Sequence, residues 1–221
     1  MPLQPDQITL VMEYCKRDLP ASFDWFISEF SFINDENLRH QLAIEFYSAR
    51  YIYKLMEALN VNNLELHAHA KFQVIQYASI YEAVVNYLLQ AVLADEEKVR
   101  SLYYHKTYKP ESALAAPTKL FYYGIEAFIC LYKDQKTPPS SIKFSDKIDT
   151  LVDLGVLEET YVDDIKEFYK ARNSIHIETA VKENTEYHIE LAKKAYRRMR
   201  PFIDQIKEFL ASHTEDDSVQ S

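Results

Sequence analysis

Apolar side chains recur at three- and four-residue spacing along most of this chain, the period of a helix that buries one face. Ile8, Val11, Met12 and Cys15 predict a short helix over residues 7–18. Pro20 then opens a second helix over 21–30, rich in aromatics at Phe23, Trp25, Phe26 and Phe30. Asn34-Asp35-Glu36 supplies an N-cap for a long helix to Leu59, with Leu38, Leu42, Phe46, Ala49, Tyr53 and Met56 as its inward stripe. Another long helix is expected from 64 or 66 to 93, where small and large apolar residues mix as in the middle of a bundle. Over 103–117 the period is lost among tyrosines and lysines, which predicts a loop. Thr118 can cap a helix over 119–132, and Pro138-Pro139-Ser140-Ser141 marks the clearest loop in the chain. Ser145 caps a helix that Gly155 terminates. No Gly or Pro falls between 161 and 179, so a single helix is expected from Thr160 through Thr179. The last helix, 184–211, contains Pro201, which must kink or split it because proline removes an intrahelical hydrogen bond.

These elements predict an all-α antiparallel bundle. Residues 1–62 read as an N-terminal helical extension, 63–212 as the bundle, and 213–221 as a disordered acidic tail. Composition narrows the choice further. The 221 residues are 48% hydrophobic, enough for a sizeable core, yet only Gly124 and Gly155 are glycines. Two glycines are too few for a phosphate-cradling loop or for the tight hairpins of an all-β fold. The apolar run over 83–94 is broken by Asn86 and Gln90, so no membrane span is expected, and the N-terminus lacks a signal-peptide pattern. A cytoplasmic protein is the expectation. Cys15 and Cys130 sit apart in apolar patterns, as buried thiols do. No His-Glu-x-x-His, Cys-x-x-Cys or Asp-rich calcium pattern occurs, and His67 and His69 point apart on a helix, so neither metal nor cofactor is expected.

A formal net charge of −9 argues against a broad, non-specific nucleic-acid coat. The cations are nevertheless uneven: residues 166–207 hold ten Lys/Arg against six Asp/Glu, with Lys193, Lys194, Arg197, Arg198 and Arg200 in one short span. That cluster is either an RNA-facing surface or a solvated face balanced by Glu183, Glu186 and Glu190. The tyrosines and lysines of 103–110 allow base stacking and, equally, a solvent-facing bundle edge.

The stretch that suggests chemistry is Tyr169-Lys170-Ala171-Arg172-Asn173-Ser174-Ile175-His176-Ile177. On one continuous helix, Arg172 and His176 would project from the same face and interrupt the stripe of Ile165, Phe168 and Tyr169. An ionised group is rarely left in a core without partners, so that face is expected to line a cleft or a subunit seam. Ser174 would point elsewhere, which disfavours a Ser-His nucleophile. His188 could approach from the closing helix.

The order of a helix ending in a Gly turn (144–155), an acidic linker, the Arg-Asn…His helix and a long closing helix resembles the HEPN superfamily, the higher eukaryotes and prokaryotes nucleotide-binding proteins. The resemblance covers roughly 66–210, and the Ser79 to Glu82 pattern on the first long bundle helix belongs to it. The family's usual pattern places four to six residues between Arg and His, whereas only Asn173, Ser174 and Ile175 intervene here. The resemblance implies metal-independent RNA cleavage, in which a 2′-hydroxyl attacks the adjacent phosphate to leave a 2′,3′-cyclic phosphate and a 5′-hydroxyl. Arg172, Asn173 and His176 would be catalytic, with Ser79 and Glu82 in support; Glu82 either holds an arginine of the motif or is a surface carboxylate. It further implies a homodimer through the motif helix, and a toxin or defence role with a restraining partner such as an antitoxin. The alternative is a catalytically silent HEPN-like domain that binds protein or nucleic acid and keeps Arg172 and His176 as a structural pair.

Overall fold

The computed structural model describes residues 2–110 and 120–219. Helices dominate it, in the order α1 (Pro5–Arg17), α2 (Asp24–Glu29), α3 (Glu36–Ala58), α4 (Asn63–Tyr87), α5 (Glu97–Tyr103), α6 (Phe144–Asp153), α7 (Glu159–Asn173), α8 (Ile177–Lys182) and α9 (Ile189–Val219). The fold is therefore mainly helical, with two short antiparallel ribbons between α5 and α6. No described helix is long and apolar enough to cross a membrane.

Helix α4 lies at the centre, packed against α3, α6, α7 and α9. Its buried positions run almost all round it, including Val74, Tyr77, Ala78, Ile80, Tyr81, Val84 and Val85, as a helix enclosed by neighbours requires. Tyr81 stacks on Phe168 of α7 at 5.7 Å, meets Phe202 of α9 edge-on at 4.9 Å, and donates its hydroxyl to the Ala195 carbonyl at 2.8 Å. That bond satisfies the one polar atom of a fully buried ring. From the extension, Phe26, Phe30 and Phe46 join the same buried cluster as Tyr81 and Phe168.

Helix ends follow local chemistry. Asp35 Oδ1 accepts from Leu38 N at 3.0 Å, the cap expected for α3. After α6, Gly155 takes φ 75°, its N–H reaches Val152 O at 2.8 Å, and Val156 N reaches Leu151 O at 2.9 Å. This left-handed turn closes the last carbonyls and buries Val156 beside Leu151. Asn60 and Asn184, both at φ 48°, end α3 and α8 in the same way. Helix α4 passes into a π-helical turn, Leu88–Val92, before the chain reverses.

Several expectations need correction. Tyr104–Pro110 is not a loop but strand β1, paired with β4 (Cys130–Lys136) so that Tyr108 faces Tyr132. The helix expected over 119–132 is instead β2 (Leu120–Tyr122), β3 (Ile125–Ala127) and the start of β4. Tyr123 and Gly124 both have positive φ, 49° and 78°, and form the two-residue turn that joins β2 to β3. Aromatic and β-branched residues around a turn glycine favour the ribbon over a helix that would carry glycine in its middle. Residues 111–119, including the Thr118 cap, lie outside the described residues. Lys143 rather than Ser145 occupies the N-cap of α6. Of the kink or split expected at Pro201, the split does not occur: the residue sits inside α9, at the expense of one bond to the Arg197 carbonyl. Helix α9 is helical through Val219, within the segment read as an unstructured acidic tail, and residues 220–221 lie outside the described residues. Cys15 is buried as expected, whereas Cys130 is exposed on β4.

Candidate functional site

The motif helix does not run through to Thr179. Helix α7 stops at Asn173, and His176 is the N-cap residue of the separate helix α8, with φ −76° and ψ 130°. Arg172 and His176 therefore do not share a helix face, which corrects the spacing argument. The cause is tertiary. Ser174, 1% exposed, returns its hydroxyl to the Lys170 carbonyl at 3.1 Å and accepts from Thr185 Oγ1 at 2.9 Å. Tyr187 donates to the Ala171 carbonyl at 2.6 Å. From beyond α8, Tyr187 thus holds one of the last carbonyls of α7 and Thr185 holds the Ser174 hydroxyl that meets another, where a helix otherwise leaves them unpaired.

Arg172 occupies the final turn of α7, about a third exposed. Its Nη2 meets Glu82 Oε2 of α4 at 3.1 Å, and its Nη1 donates to Asn173 Oδ1 at 3.0 Å. The other Glu82 oxygen accepts from the Tyr169 hydroxyl at 3.3 Å, and the Arg172 guanidinium lies 5.7 Å from the Tyr169 ring centre. Burial, then the negative charge of Glu82, push the Tyr169 phenol up from its ordinary value, which keeps it a donor. Phe144 of α6 stacks on Tyr169 at 4.0 Å and fixes that ring. Glu82 is thus a clamp between α4 and α7 and not a free surface carboxylate. Ser79 takes no part in it, since its hydroxyl bonds back to the Ile75 carbonyl at 2.8 Å.

Beside the clamp lies Lys147 of α6, only 5% exposed, with Nζ donating to Asn86 Oδ1 at 2.9 Å. Burial lowers the Lys147 pKa from its ordinary value, and the charge of Glu82 only partly offsets this. His176 is exposed, and among the described residues its imidazole forms no hydrogen bond or ion pair. Its neighbours along the chain are apolar and exposed: Ile175 is 41% exposed, Ile177 80% and Val181 76%.

A groove of about 620 Å³ between α6, α7 and α8 reaches Tyr169 and Asn173, with Lys143, Lys166 and Lys170 on its walls. Lys166 pairs with Asp149 at 2.6 Å and Lys170 with Glu183 at 3.1 Å, while Lys143 forms no ion pair among the described residues. These lysines were missed by the sequence reading. Lys166, Lys170 and Asn173 nevertheless fall at the i, i+4, i+7 positions of one helical face, so the signal was present.

The basic cluster of α9 divides between two faces. Lys194 meets Asp164 at 2.5 Å and Glu167 at 2.9 Å, and Arg198 Nε meets Asp164 at 2.6 Å, so both tie α9 to α7. Burial opposes ionisation of Asp164, but the hydrogen bonds from Lys194 and Arg198 outweigh it and hold the carboxyl below its ordinary range. Lys193 and Arg197 face another way, into a cavity against α3 and α4. His188 forms no hydrogen bond to the motif among the described residues; its Nδ1 accepts from Leu191 N at 3.1 Å and caps α9. His67 packs edge-on against Tyr187 at 5.8 Å. On the ribbon, Tyr108 and Tyr132 form an exposed pair at 4.9 Å, with the Lys106 ammonium 5.8 Å from the Tyr132 ring centre.

Chemically, the motif offers a positioned guanidinium about a third exposed, an amide bonded to it and, at the start of the next helix, an exposed imidazole that has no partner among the described residues. Compared with protein-family models, with curated proteins and with solved structures, the chain matches none.

Proposed function

We propose that this chain is a metal-independent endoribonuclease of HEPN type that works as a homodimer, with Arg172, Asn173 and His176 at the site. The observation that carries this reading is the setting of Arg172. Glu82 and Asn173 fix its guanidinium at 3.1 and 3.0 Å while about a third of the side chain stays open to solvent, and three residues past the helix end His176 carries an imidazole with no partner among the described residues. A fixed fork of N–H donors suits the oxygens of a phosphodiester, and holding it in advance avoids reorganisation as charge develops.

In the reaction, a neutral imidazole takes the proton of the 2′-hydroxyl as its oxygen attacks phosphorus. The bond to the 5′-oxygen breaks, an imidazolium gives that oxygen a proton, and a 2′,3′-cyclic phosphate and a 5′-hydroxyl remain. Taking and giving a proton at once asks for two imidazoles, which two copies of His176 would supply. The exposed Ile175, Ile177 and Val181 support such a seam, since burying them between two copies would bring the motifs together. The groove with Lys143, Lys166 and Lys170 supports RNA as the substrate, giving phosphates a path to Asn173. A toxin or defence role with a restraining partner protein fits such an activity.

A second reading has its own observation. The Glu82 ion pair and the Asn173 bond also make Arg172 a structural link between α4 and α7, as in a catalytically silent module that binds protein or nucleic acid. RNA cleavage by three purified proteins separates the two. The nuclease reading expects activity in the wild type, loss of about 100-fold or more in His176→Ala, and loss with monomer formation in Ile177→Asp. A well-folded wild-type dimer that binds RNA and never cuts it favours the silent module.

A further inference from the structure

Away from the motif, the C-terminal end of α1, α3, α4 and α9 enclose a cavity of about 430 Å³ that opens to solvent. Gln73 of α4, which lines it, is about half a turn round that helix from Glu82, so the cavity and the clamp lie on opposite faces. Four cations reach the cavity, and two of them are already used. Lys54 pairs with Asp18 at 2.6 Å and Glu57 at 2.7 Å, and Lys193 pairs with Glu190 at 2.8 Å. The two arginines are not neutralised in this way. Arg50 donates only to the Asp18 carbonyl, at 3.1 Å, with its guanidinium 5.3 Å from the Tyr196 ring centre. Arg197 forms no hydrogen bond or close ion pair among the described residues, and its charge acts on Glu190 only at longer range.

Two arginines without a carboxylate in ion-pair contact line this cavity in a chain of net charge −9, although the Asp18 carboxylate, held by Lys54, shares the wall and feels the charge of Arg50. Tyr53, Tyr77 and Tyr196 supply the remaining walls. Tyrosines give flat apolar surface to a ring, and arginine forks recognise phosphate in pairs of hydrogen bonds.

We infer that this cavity binds a small phosphate-bearing molecule with a planar ring, of mononucleotide size. Its phosphate lies between Arg50 and Arg197, and its ring lies against the tyrosines. The inference stands apart from the nuclease reading, because none of these residues touches the motif.

The test is calorimetric titration of the full chain with 5′-AMP, adenosine and inorganic phosphate. Saturable AMP binding is expected, tighter than either fragment alone. Arg197→Gln should weaken it about tenfold or more, since one charge-assisted contact is lost. Arg200→Gln on the same helix should leave it unchanged, as should His176→Ala, which separates this site from the motif. Absence of saturable AMP binding at millimolar concentrations would overturn the inference. So would equal binding by Arg197→Gln, and phosphate binding as tightly as AMP would overturn the place given to the ring.

Discussion

Replacing Glu82 tests whether Arg172 is held in place or merely nearby. At 3.1 Å, opposite unit charges in a medium of effective dielectric about 20 attract by about 5 kcal/mol. Most of that is offset: the Arg172 and Glu82 side chains are 34% and 24% exposed, so water screens the pair and lost hydration opposes it. A net contribution of about 1 kcal/mol remains, to which the Tyr169 hydroxyl bond adds about 1 kcal/mol. Glu82→Ala should therefore destabilise the fold by about 2 kcal/mol, seen as a melting temperature lower by about 4–8 °C for a chain of this size. Glu82→Gln, which keeps an acceptor for Tyr169, should lose about half as much. The decisive quantity is the coupling in a double-mutant cycle with Arg172→Ala, measured by urea unfolding. A coupling of about 1 kcal/mol is expected, and additivity within about 0.3 kcal/mol would refute the clamp. If the clamp also presents Arg172 to substrate, RNA cleavage should fall in Glu82→Gln even at temperatures where that protein is fully folded.

Other perturbations probe the rest of the account. The Asp164 carboxyl is held below its ordinary range, so its pairing with Lys194 and Arg198 stabilises fully above about pH 4 and is lost as pH falls through the depressed native value. The stability difference between wild type and Asp164→Asn in urea should thus be flat from neutral to mildly acidic pH and close below about pH 4; a gap that widens with acid would contradict the pairing. Gly155→Ala meets nothing within 4 Å of the added methyl, so its expected cost of about 1 kcal/mol is backbone strain at φ 75°. Gly155→Asn should lose less, because Asn60 and Asn184 already hold left-handed helix ends, and equal thermal shifts for the two variants would count against this. Burial disfavours the charged form of Lys147, a penalty present at neutral pH and lifted as pH rises from its lowered native value towards 10.5. Lys147→Met should therefore be neutral or stabilising at pH 7, and wild type should gain on it in alkaline urea titrations; a loss beyond about 1 kcal/mol at pH 7 would show that the Asn86 bond outweighs the burial.

What the sequence disclosed depended on how local each cause was. The stripe from Leu42 to Met56, the Asp35 cap and the Gly155 stop are written within a few residues, and each lies where expected. The end of α7 is different. Nothing between Ala171 and Ile177 breaks a helix, and the stop comes from Tyr187 and Thr185, which reach the last turn only because α9 packs across it. The helix period therefore carried on too far and put Arg172 and His176 on one face. The ribbon was missed for the opposite reason. Phe121 to Ile129 carries apolar residues dense enough to fit either period, and Gly124 was the one local clue that strands meet there. Within the site, the Arg172 partner on α4 was legible as one of two options for Glu82. The buried Lys147 and the division of the α9 cations between Asp164 and the Gln73 cavity depend on which helices face each other, and no spacing in one segment encodes that.

The central claim is that His176 and Arg172 cut RNA without a metal. The measurement that bears on it most directly is incubation of purified wild type and His176→Ala with mixed-sequence RNA in excess chelator, followed by chemical mapping of the new ends. The account predicts cleavage by wild type alone, with 2′,3′-cyclic phosphate and 5′-hydroxyl ends. Cleavage that persists in His176→Ala, stops with chelator or leaves 5′-phosphates would contradict it.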